Sequence, residues 1–183
     1  MEKQELLVTG ANGFLGQNLT DTLKQKGFTG ILPCDEGTDP AALDAYASRC
    51  GFVFHLAGSE AFTNLLLSAL EKHKNNAPVL SAVCDQACDQ RVLAHARATG
   101  APVYIYKLPG VCGTWSGGDG GNVTATLCCD KGLPVTVGGP DRSLVFAKVD
   151  DVTSSFLAAL RGTTTREGNR CAVRPLYKIT MEV

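Results

Sequence analysis

The chain has 183 residues with a formal net charge of −1 at pH 7, and 44% of its residues are hydrophobic. This length and composition suffice for one domain with its own core, which we expect to span residues 1–183. The balanced charge argues against a surface for nucleic acid or for an anionic membrane, and no apolar run is long enough to span a bilayer. Residues 1–5 lack the arrangement of a secretion signal, so we expect a soluble, cytoplasmic protein.

Short apolar runs alternate with amphipathic stretches as far as residue 107. The apolar runs predict strands near residues 5–9, 30–34, 52–57, 78–83 and 102–106. The stretches between them predict helices over about 14–26, 40–48, 65–74 and 85–99. Such alternation with short connections is typical of right-handed βαβ units. The predicted fold class is therefore α/β, a Rossmann-like doubly wound parallel sheet, with residues 1–107 as its core.

Three glycines, Gly10, Gly13 and Gly16, separate the first predicted strand from the first predicted helix. Glycine allows the positive φ or the close backbone approach that a tight turn here requires. Such a turn points the free N–H groups and the positive dipole end of the helix at whatever lies above it, and the natural occupant is a phosphate. The pattern matches the dinucleotide fingerprint with its first gap widened by one residue, and a glycine turn without a ligand is the alternative.

The second apolar run ends in Asp35 and Glu36, about twenty residues beyond the last of these glycines. An acidic side chain at this place would hold the ribose hydroxyls of NAD and repel the 2′-phosphate of NADP. Because no arginine lies nearby, we expect NAD rather than NADP. The third run, residues 52–58, ends in small residues that would let a nucleotide lie against the strand end.

The pattern changes from residue 108 onward. It predicts a glycine-rich loop at 114–121, a helix near 122–130, a strand near 133–137, a turn at 138–141, a helix from about 149 to 161 and a last strand near 172–177. We expect residues 108–183 to form a shortened C-terminal part of the same domain.

Eight cysteines are present, without a CxxC pair. Most lie inside apolar runs, where a thiol behaves as a small hydrophobe. Cys84 and Cys88 are four residues apart and could share a helix face, but no histidine has ligand spacing to them. We therefore expect buried free thiols and no metal site, with zinc binding and a redox role as the alternatives.

Five motifs follow one another along the chain, namely Thr9–Gly16, His55–Gly58, Asn64–Leu66, Lys107–Gly113 and Val149–Val152. Their order resembles that of the extended short-chain dehydrogenases/reductases, the NAD-dependent epimerase/dehydratase group that acts on nucleotide sugars. Within this group, residues 103–109 and 122–128 are most similar to the capsule-biosynthesis reductases, which reduce a 4-keto nucleotide sugar. The resemblance implies a Rossmann fold with a small, truncated C-terminal substrate lobe, an NAD(P) cofactor and a nucleotide sugar as partner.

The resemblance also assigns roles to individual residues. Backbone amides of the glycine turn would wrap the pyrophosphate, Asp35 would hold the adenosine ribose, and residues 56–58 would line the adenosine half of the cofactor. The implied cofactor-binding residues are Gly10, Asn12, Gly13, Phe14, Leu15, Gly16, Asp35, Glu36, Leu56, Ala57, Gly58, Pro109 and Val111. Pro109 and Val111 would lie on the segment that runs beside the nicotinamide. Asn122 and Arg142 would face the phosphates of the nucleotide sugar.

The catalytic pair of this family is absent. Its members need a tyrosine whose phenol is acidified by a lysine four residues later on the same helix face, and a Ser or Thr that polarises the substrate oxygen. No Tyr-x-x-x-Lys occurs in the sequence, and the two matching positions hold Ser81 and Asp85. The catalytic residues are therefore unassigned, and Ser81 is the candidate that remains.

Three functions are open on the sequence. The first is a catalytically degenerate member that binds NAD(H) as a sensor, a regulator or a partner subunit. The second is an active oxidoreductase or epimerase on a nucleotide sugar with another proton donor, either Ser81 with water or His55, although a histidine near a strand end more often packs in the core. The third is a structural protein or a truncated gene product that binds nothing. A homodimer through the helices predicted at 65–74 and 85–99 is compatible with their apolar faces.

Overall fold

The structure, a computed structural model, describes residues 4–83, 85–108, 110–113, 144–162, 170–171 and 177–179. Its helices are α1 (Phe14–Gln25), α2 (Pro40–Arg49), α3 (Glu60–Lys72), α4 (Gln86–Thr99) and α5 (Val149–Leu160). Its strands are β1 (Leu6–Thr9), β2 (Ile31–Cys34), β3 (Phe52–His55), β4 (Val79–Ser81), β5 (Val103–Tyr106), β6 (Gly110–Cys112), β7 (Leu144–Lys148), β8 (Arg170–Cys171) and β9 (Tyr177–Ile179).

A parallel sheet with the strand order β2-β1-β3-β4-β5-β8 forms the centre of the fold. Alternate residues of its strands point to opposite faces, because side chains of a strand alternate with a period of two. On one face, Val8 and Phe54 join a hydrophobic cluster with residues of α1 and α5. On the other face, Leu7 and Val53 join a cluster with residues of α2, α3 and α4. Helices therefore cover both faces, and the predicted doubly wound α/β fold is confirmed.

Burial on both faces explains the apolar runs from which these strands were predicted. Every residue of β1 and of β3 is buried, because each face of the sheet carries a helical layer. Strands in such a position read as continuous apolar runs rather than as an alternating pattern. The predicted strands and helices up to residue 106 are all present.

Helix α3 begins earlier than expected, at Glu60 rather than near Leu65. The Ser59 hydroxyl accepts the N–H of Phe62 at 3.3 Å and so caps the helix. Glu60 in the first turn also interacts favourably with the helix dipole. The start predicted at residue 65 was wrong because it relied on the leucine run and overlooked this capping serine.

Strands β6, β7 and β9 form a second, three-stranded sheet in which β6 and β7 are parallel and β9 is antiparallel to β7. The sequence did not predict β6 or β7. The last strand expected at residues 172–177 lies outside the described residues except for its final position, which begins β9. Strand β8 joins the central sheet beside β5, and β9 joins the second sheet. The predicted elements at 114–121, 122–130, 133–137 and 138–141 lie outside the described residues.

The cysteines that the structure describes in full, Cys34, Cys50 and Cys88, are free and buried, as expected. Burial raises the pKa of the Cys34 thiol, and it raises that of Cys50 to about 11, so both stay protonated. Within the described ranges, no helix has the length and apolarity to cross a membrane. In the same residues, no cluster of His, Cys, Asp and Glu could hold a metal ion.

Candidate functional site

The loops after β1, β2 and β3 meet at one edge of the central sheet. Strand β1 lies between β2 and β3, and all three run in the same direction. From β1 the chain goes to β2 on one side, and β3 and the later strands of this sheet lie on the other side of β1. The carboxyl end of β1 is therefore a topological switch point of the sheet. In open α/β sheets, ligands bind in the crevice outside the carboxyl ends of the strands at such a point.

Two of the three glycines at the end of β1 are required by close packing. Gly10 has φ +65°, and a Cβ built on it would lie 2.5 Å from Cβ of Ala57 in the loop after β3. A Cβ on Gly16 would lie 2.0 Å from the carbonyl oxygen of Gly10. Neither position can hold a larger residue without a shift of the backbone, so the loop 10–13, the loop 56–58 and helix α1 are in direct contact.

The start of helix α1 is free of side-chain capping. Gly13 is its N-cap residue, with φ −78°, and no side chain accepts a hydrogen bond there. The Gly13 N–H donates to the Gly10 carbonyl at 2.9 Å, and the Gly13 carbonyl accepts the N–H of Gln17 at 2.9 Å. Asn12 and Gly13 are exposed. The N–H groups of Phe14, Leu15 and Gly16 and the positive dipole end are thus presented to an external anion.

Both acidic residues after β2 contact the neighbouring loops. The side-chain amide of Asn12 donates to the carboxylate of Asp35, and the backbone N–H of Ser59 donates to the carboxylate of Glu36. The backbone N–H of Asp35 donates to the Thr38 hydroxyl at 2.9 Å, which closes the turn. Carboxylates therefore stand beside the glycine loop on the side of β2, at the place where the sequence predicted them.

A row of polar residues crosses the central sheet at the same edge. In the strand register, Thr9 of β1 pairs with His55 of β3, and His55 pairs with Ser81 of β4. All three side chains are fully buried. His55 Nδ1 lies 2.9 Å from the Thr9 hydroxyl, and Nε2 lies 2.8 Å from the hydroxyl of Thr63 on α3. Since both ring nitrogens have partners and burial lowers the pKa of His55 to about 4, His55 does not fit the role of proton donor.

Ser81 and Asp85 do not form a pair on one helix face. Ser81 is the last residue of β4, and its buried hydroxyl has no hydrogen-bond partner among the described residues. Asp85 is the N-cap of α4, where its carboxylate accepts the N–H groups of Ala87 at 2.7 Å and Cys88 at 3.0 Å. These hydrogen bonds lower the pKa of Asp85, so it is an anion at neutral pH. An anion at this position cannot acidify a phenol as a lysine does.

The three tyrosines with described side chains lie on other elements, and Tyr104 of β5 stacks on Phe52 with ring centres 6.5 Å apart. Tyr46 lies on α2, with the Arg49 guanidinium 5.8 Å from its ring centre. Tyr106 of β5 is buried beside α5 and donates its hydroxyl to the carbonyl of Ser155 at 3.2 Å. The neighbouring Lys107 forms an ion pair with Asp89 of α4. No substitute for the missing tyrosine and lysine pair arises from these residues.

Most of the predicted cofactor-binding residues are close together. The loops and helix start at this edge contain Gly10, Asn12, Gly13, Phe14, Leu15, Gly16, Asp35, Glu36, Leu56, Ala57 and Gly58. Val111 is not on these loops. It is on strand β6 and packs against the hydrophobic cluster that contains residues of α1 and α5. Pro109, Asn122 and Arg142 lie outside the described residues.

Sequence reasoning overlooked two residues of this edge, Thr9 and Ser59. Thr9 accepts the N–H of Leu56 at 3.2 Å and donates to the Ala57 carbonyl at 3.0 Å, so it holds the loop after β3. Ser59 contacts Glu36 and caps α3. A serine directly before an apolar helical stretch was the available signal for Ser59. Nothing in the sequence indicated that Thr9 would hold a loop 47 residues further along the chain.

Comparison with known proteins agrees with this arrangement. Residues 6–92 match the model of the NAD dependent epimerase/dehydratase family. The chain is 25% identical, over 204 aligned residues, to a UDP-2-acetamido-2,6-beta-L-arabino-hexul-4-ose reductase from Pseudomonas aeruginosa, an alignment that covers 97% of this chain and 55% of that protein. The resemblance that the motifs indicated is thereby confirmed.

Solved structures show the same similarity. The capsular polysaccharide assembling protein CapF from Staphylococcus aureus matches with a TM-score of 0.85 and 26% identity, covering 97% of this chain and 52% of that chain. Vestitone reductase from alfalfa matches with a TM-score of 0.71 and 15% identity, covering 96% of this chain and 78% of that chain, which shows a shared fold. This chain thus spans about half the length of the Pseudomonas reductase and of CapF.

Proposed function

Because residues 6–92 match the model of the NAD dependent epimerase/dehydratase family, we propose that this chain binds NAD(H) without turning over a sugar, as a sensor, a regulator or a partner subunit. The observation that carries the proposal is the uncapped start of α1, which directly follows a glycine turn packed against the loop of residues 56–58. This arrangement offers backbone hydrogen-bond donors to a pyrophosphate at an exposed helix start.

The residues present fit a dinucleotide. Backbone N–H groups of Phe14, Leu15 and Gly16 would hold the pyrophosphate, Asp35 would hold the adenosine ribose, and residues 56–58 would line the adenosine half. When bound, the nicotinamide can accept or donate a hydride. By family resemblance, Pro109 and Val111 would pass the nicotinamide, while Asn122 and Arg142 would contact the phosphates of a nucleotide sugar.

The preference for NAD over NADP rests on Asp35 and Glu36. Their carboxylates lie beside the glycine loop, where a 2′-phosphate would bring further negative charge. Like charges held close together in a partly buried place repel each other. We therefore expect NAD(H) to bind more tightly than NADP(H).

The absence of catalysis follows from the residues at the catalytic positions. The sequence has no Tyr-x-x-x-Lys, and Asp85 places a negative charge where the family has its lysine. His55 is engaged at both ring nitrogens and stays neutral. Apart from the Ser81 hydroxyl, the described residues at these positions offer no group that would give or take the hydroxyl proton, so hydride transfer to a sugar carbonyl would lack its acid/base partner.

Calorimetric titration of the purified protein with NAD⁺, NADH and NADPH tests the proposal. We expect binding of NAD(H) near micromolar, which corresponds to about −8 kcal/mol. No heat at millimolar cofactor would overturn the proposal and favour a protein that keeps the fold for its shape alone.

A matched pair of glycine variants locates the bound cofactor. A Cβ at Gly13 would lie 3.2 Å from the Gly10 carbonyl oxygen, at the start of α1, and a Cβ at Gly30 would lie 3.2 Å from the Gln4 carbonyl oxygen, at the opposite edge of the sheet. Each alanine variant brings a Cβ to 3.2 Å from a backbone carbonyl oxygen, and the Cβ on Gly30 also meets two atoms of Glu5 at 3.3 Å. We expect Gly13→Ala to weaken NAD(H) binding by about tenfold or more and Gly30→Ala to leave it unchanged. Equal effects would place the cofactor elsewhere.

A second candidate function is an active reductase with Ser81 in the catalytic site. It is favoured by the buried Ser81 hydroxyl, which lies at the carboxyl end of β4 without a described protein partner. The test is oxidation of NADH with the UDP-4-keto sugar for which the Pseudomonas relative is named. Turnover that is lost in Ser81→Ala would support this candidate, and no turnover would support the cofactor-binding role.

A further inference from the structure

The hydrogen atoms around the buried histidine can be counted. His55 Nδ1 lies 2.9 Å from Thr9 Oγ1, and Nε2 lies 2.8 Å from Thr63 Oγ1. Thr9 Oγ1 also lies 3.0 Å from the carbonyl oxygen of Ala57, and Thr63 Oγ1 lies 2.9 Å from that of Ser59. Each hydroxyl has one hydrogen to donate, and a neutral imidazole has one N–H. The four contacts therefore cannot all be hydrogen bonds at the same time.

Two arrangements satisfy both ring nitrogens. If Nδ1 carries the hydrogen, His55 donates to Thr9, Thr9 donates to the Ala57 carbonyl, and Thr63 donates to Nε2. If Nε2 carries the hydrogen, His55 donates to Thr63, Thr63 donates to the Ser59 carbonyl, and Thr9 donates to Nδ1 instead of to Ala57. The tautomer of His55 thus decides which carbonyl of the loop after β3 is held.

The arrangement with Nδ1–H leaves fewer polar groups without partners. The Ser59 carbonyl accepts the backbone N–H of Thr63 at 2.9 Å in either case, so it does not depend on the Thr63 hydroxyl. The Ala57 carbonyl takes its described hydrogen bond from Thr9. Thr63 Oγ1 also lies 3.3 Å from the sulfur of Cys88, and in this arrangement its single hydrogen goes to Nε2 rather than to that sulfur. In the other arrangement the carbonyl of Ala57, an exposed residue, has no described protein donor, whereas the Ser59 carbonyl keeps its backbone donor in both. The arrangement with Nδ1–H therefore pairs more of these groups within the protein.

We propose that His55, as the Nδ1–H tautomer, is a positioning residue for the loop of residues 56–58. It orients the Thr9 hydroxyl, which accepts the N–H of Leu56 and donates to the carbonyl of Ala57. Ala57 in turn packs against Gly10, because a Cβ added to Gly10 would lie 2.5 Å from the Cβ of Ala57. One buried ring therefore sets the distance between the two loops of the candidate site. The proposal rests on the proposed function, because this loop lines a cofactor only if the chain binds one.

The tautomer can be read without any cofactor. Protein labelled with ¹⁵N in its three histidines would be studied at pH 7, and the His55 ring signals would be identified by their loss in His55→Asn. A ring nitrogen that carries hydrogen is distinguished from a bare one by its ¹⁵N shift. We expect a protonated Nδ1 and a bare Nε2. The reverse pattern, or hydrogen on both nitrogens, would overturn the proposal even if NAD(H) binds.

Two substitutions of His55 test the positioning role. The amide of asparagine reaches the place of Nδ1 and can donate to Thr9, whereas the amide of glutamine reaches the place of Nε2 and leaves Thr9 without its donor. We expect His55→Gln and Thr9→Val to weaken NAD(H) binding by about tenfold relative to the unaltered protein. We expect His55→Asn to bind NAD(H) nearly as tightly as the unaltered protein. Thr22→Val, which removes a hydroxyl bonded to the Asn18 carbonyl within α1, serves as the control.

The outcomes of the two tests separate the proposals. Equal losses of affinity in His55→Asn and His55→Gln would contradict the positioning role. Absence of NAD(H) binding in the unaltered protein would overturn the proposed function, and the ring ¹⁵N shifts would still decide the tautomer. If both His55 variants fail to fold, Thr9→Val remains as the binding test, and the His55 ring signals are assigned by elimination with variants of the other two histidines, His73 and His95.

Discussion

The carbonyl oxygen of Gly10 lies 2.0 Å from the position that a Cβ on Gly16 would occupy. The first turn of α1 therefore packs directly on the end of β1, with no space for a side chain between them. This contact aims the start of the helix at the edge where the loops after β1, β2 and β3 meet. The local geometry that would receive a phosphate is thus part of the packing of the core.

Gly16→Ala is expected to destabilise the protein. Alanine favours a helix by about 1 kcal/mol over glycine, but overpacking costs about 1–3 kcal/mol and here the neighbour is rigid backbone. Because the neighbour is rigid, we take the overpacking cost at the upper end of this range and expect the free energy of unfolding, measured in urea, to fall by about 2 kcal/mol net. Gly37→Ala, whose Cβ would meet no atom within 4 Å, is the control. A Gly16→Ala protein as stable as this control would show that α1 can move away from β1.

Asp35→Ala is expected to weaken NAD(H) binding. Loss of a carboxylate that accepts ribose hydroxyls leaves those groups unpaired, which costs about 1–3 kcal/mol. Calorimetric titration measures the change, with Asp39→Ala as a control of equal charge, since Asp39 is exposed and makes no capping hydrogen bond. An unchanged affinity in Asp35→Ala would show that Asp35 does not hold the ribose. We also expect the variant to discriminate less against NADPH.

The buried His55 is expected to make the protein sensitive to acid. Its pKa of about 4 in the folded state lies below the ordinary value of 6.5, so between these values the unfolded chain binds a proton that the folded one does not. The free energy of unfolding should therefore fall as the pH drops from 6.5 to about 4, by about 3 kcal/mol in total at 1.36 kcal/mol per pKa unit. Urea unfolding at several pH values measures this slope. His55→Asn should lack it, and an equal slope in that variant would assign the sensitivity to other groups.

Ser81→Ala is expected to leave the fold as stable as before or more so. The Ser81 hydroxyl is buried without a described partner, and a buried polar group in that state costs about 1–3 kcal/mol. We expect the free energy of unfolding to rise by about 1 kcal/mol. Ser48→Ala, which removes an exposed hydroxyl on α2, should change it by less than about 0.5 kcal/mol. A clear loss of stability in Ser81→Ala would mean that the hydroxyl has a partner, such as ordered water.

The central sheet and the glycine turn could be predicted because their signals are local. Strands covered on both faces are continuous apolar runs, and the spacing of Gly10, Gly13 and Gly16 is readable without any contact information. Asp35 and Glu36 were likewise found by their distance along the chain. The start of α3 and the second sheet were not found, since a single capping serine and strands of three to five residues carry little sequence signal.

The sequence by itself determined the order of strands and helices up to residue 106, the glycine turn and the absence of a Tyr-x-x-x-Lys pair. Only the tertiary structure decided what His55 does. The sequence left it open as a proton donor, and the fold surrounds it with Thr9 from β1 and Thr63 from α3. Such partners depend on strand register and helix packing between distant segments, and these are properties of the folded chain that local patterns do not contain.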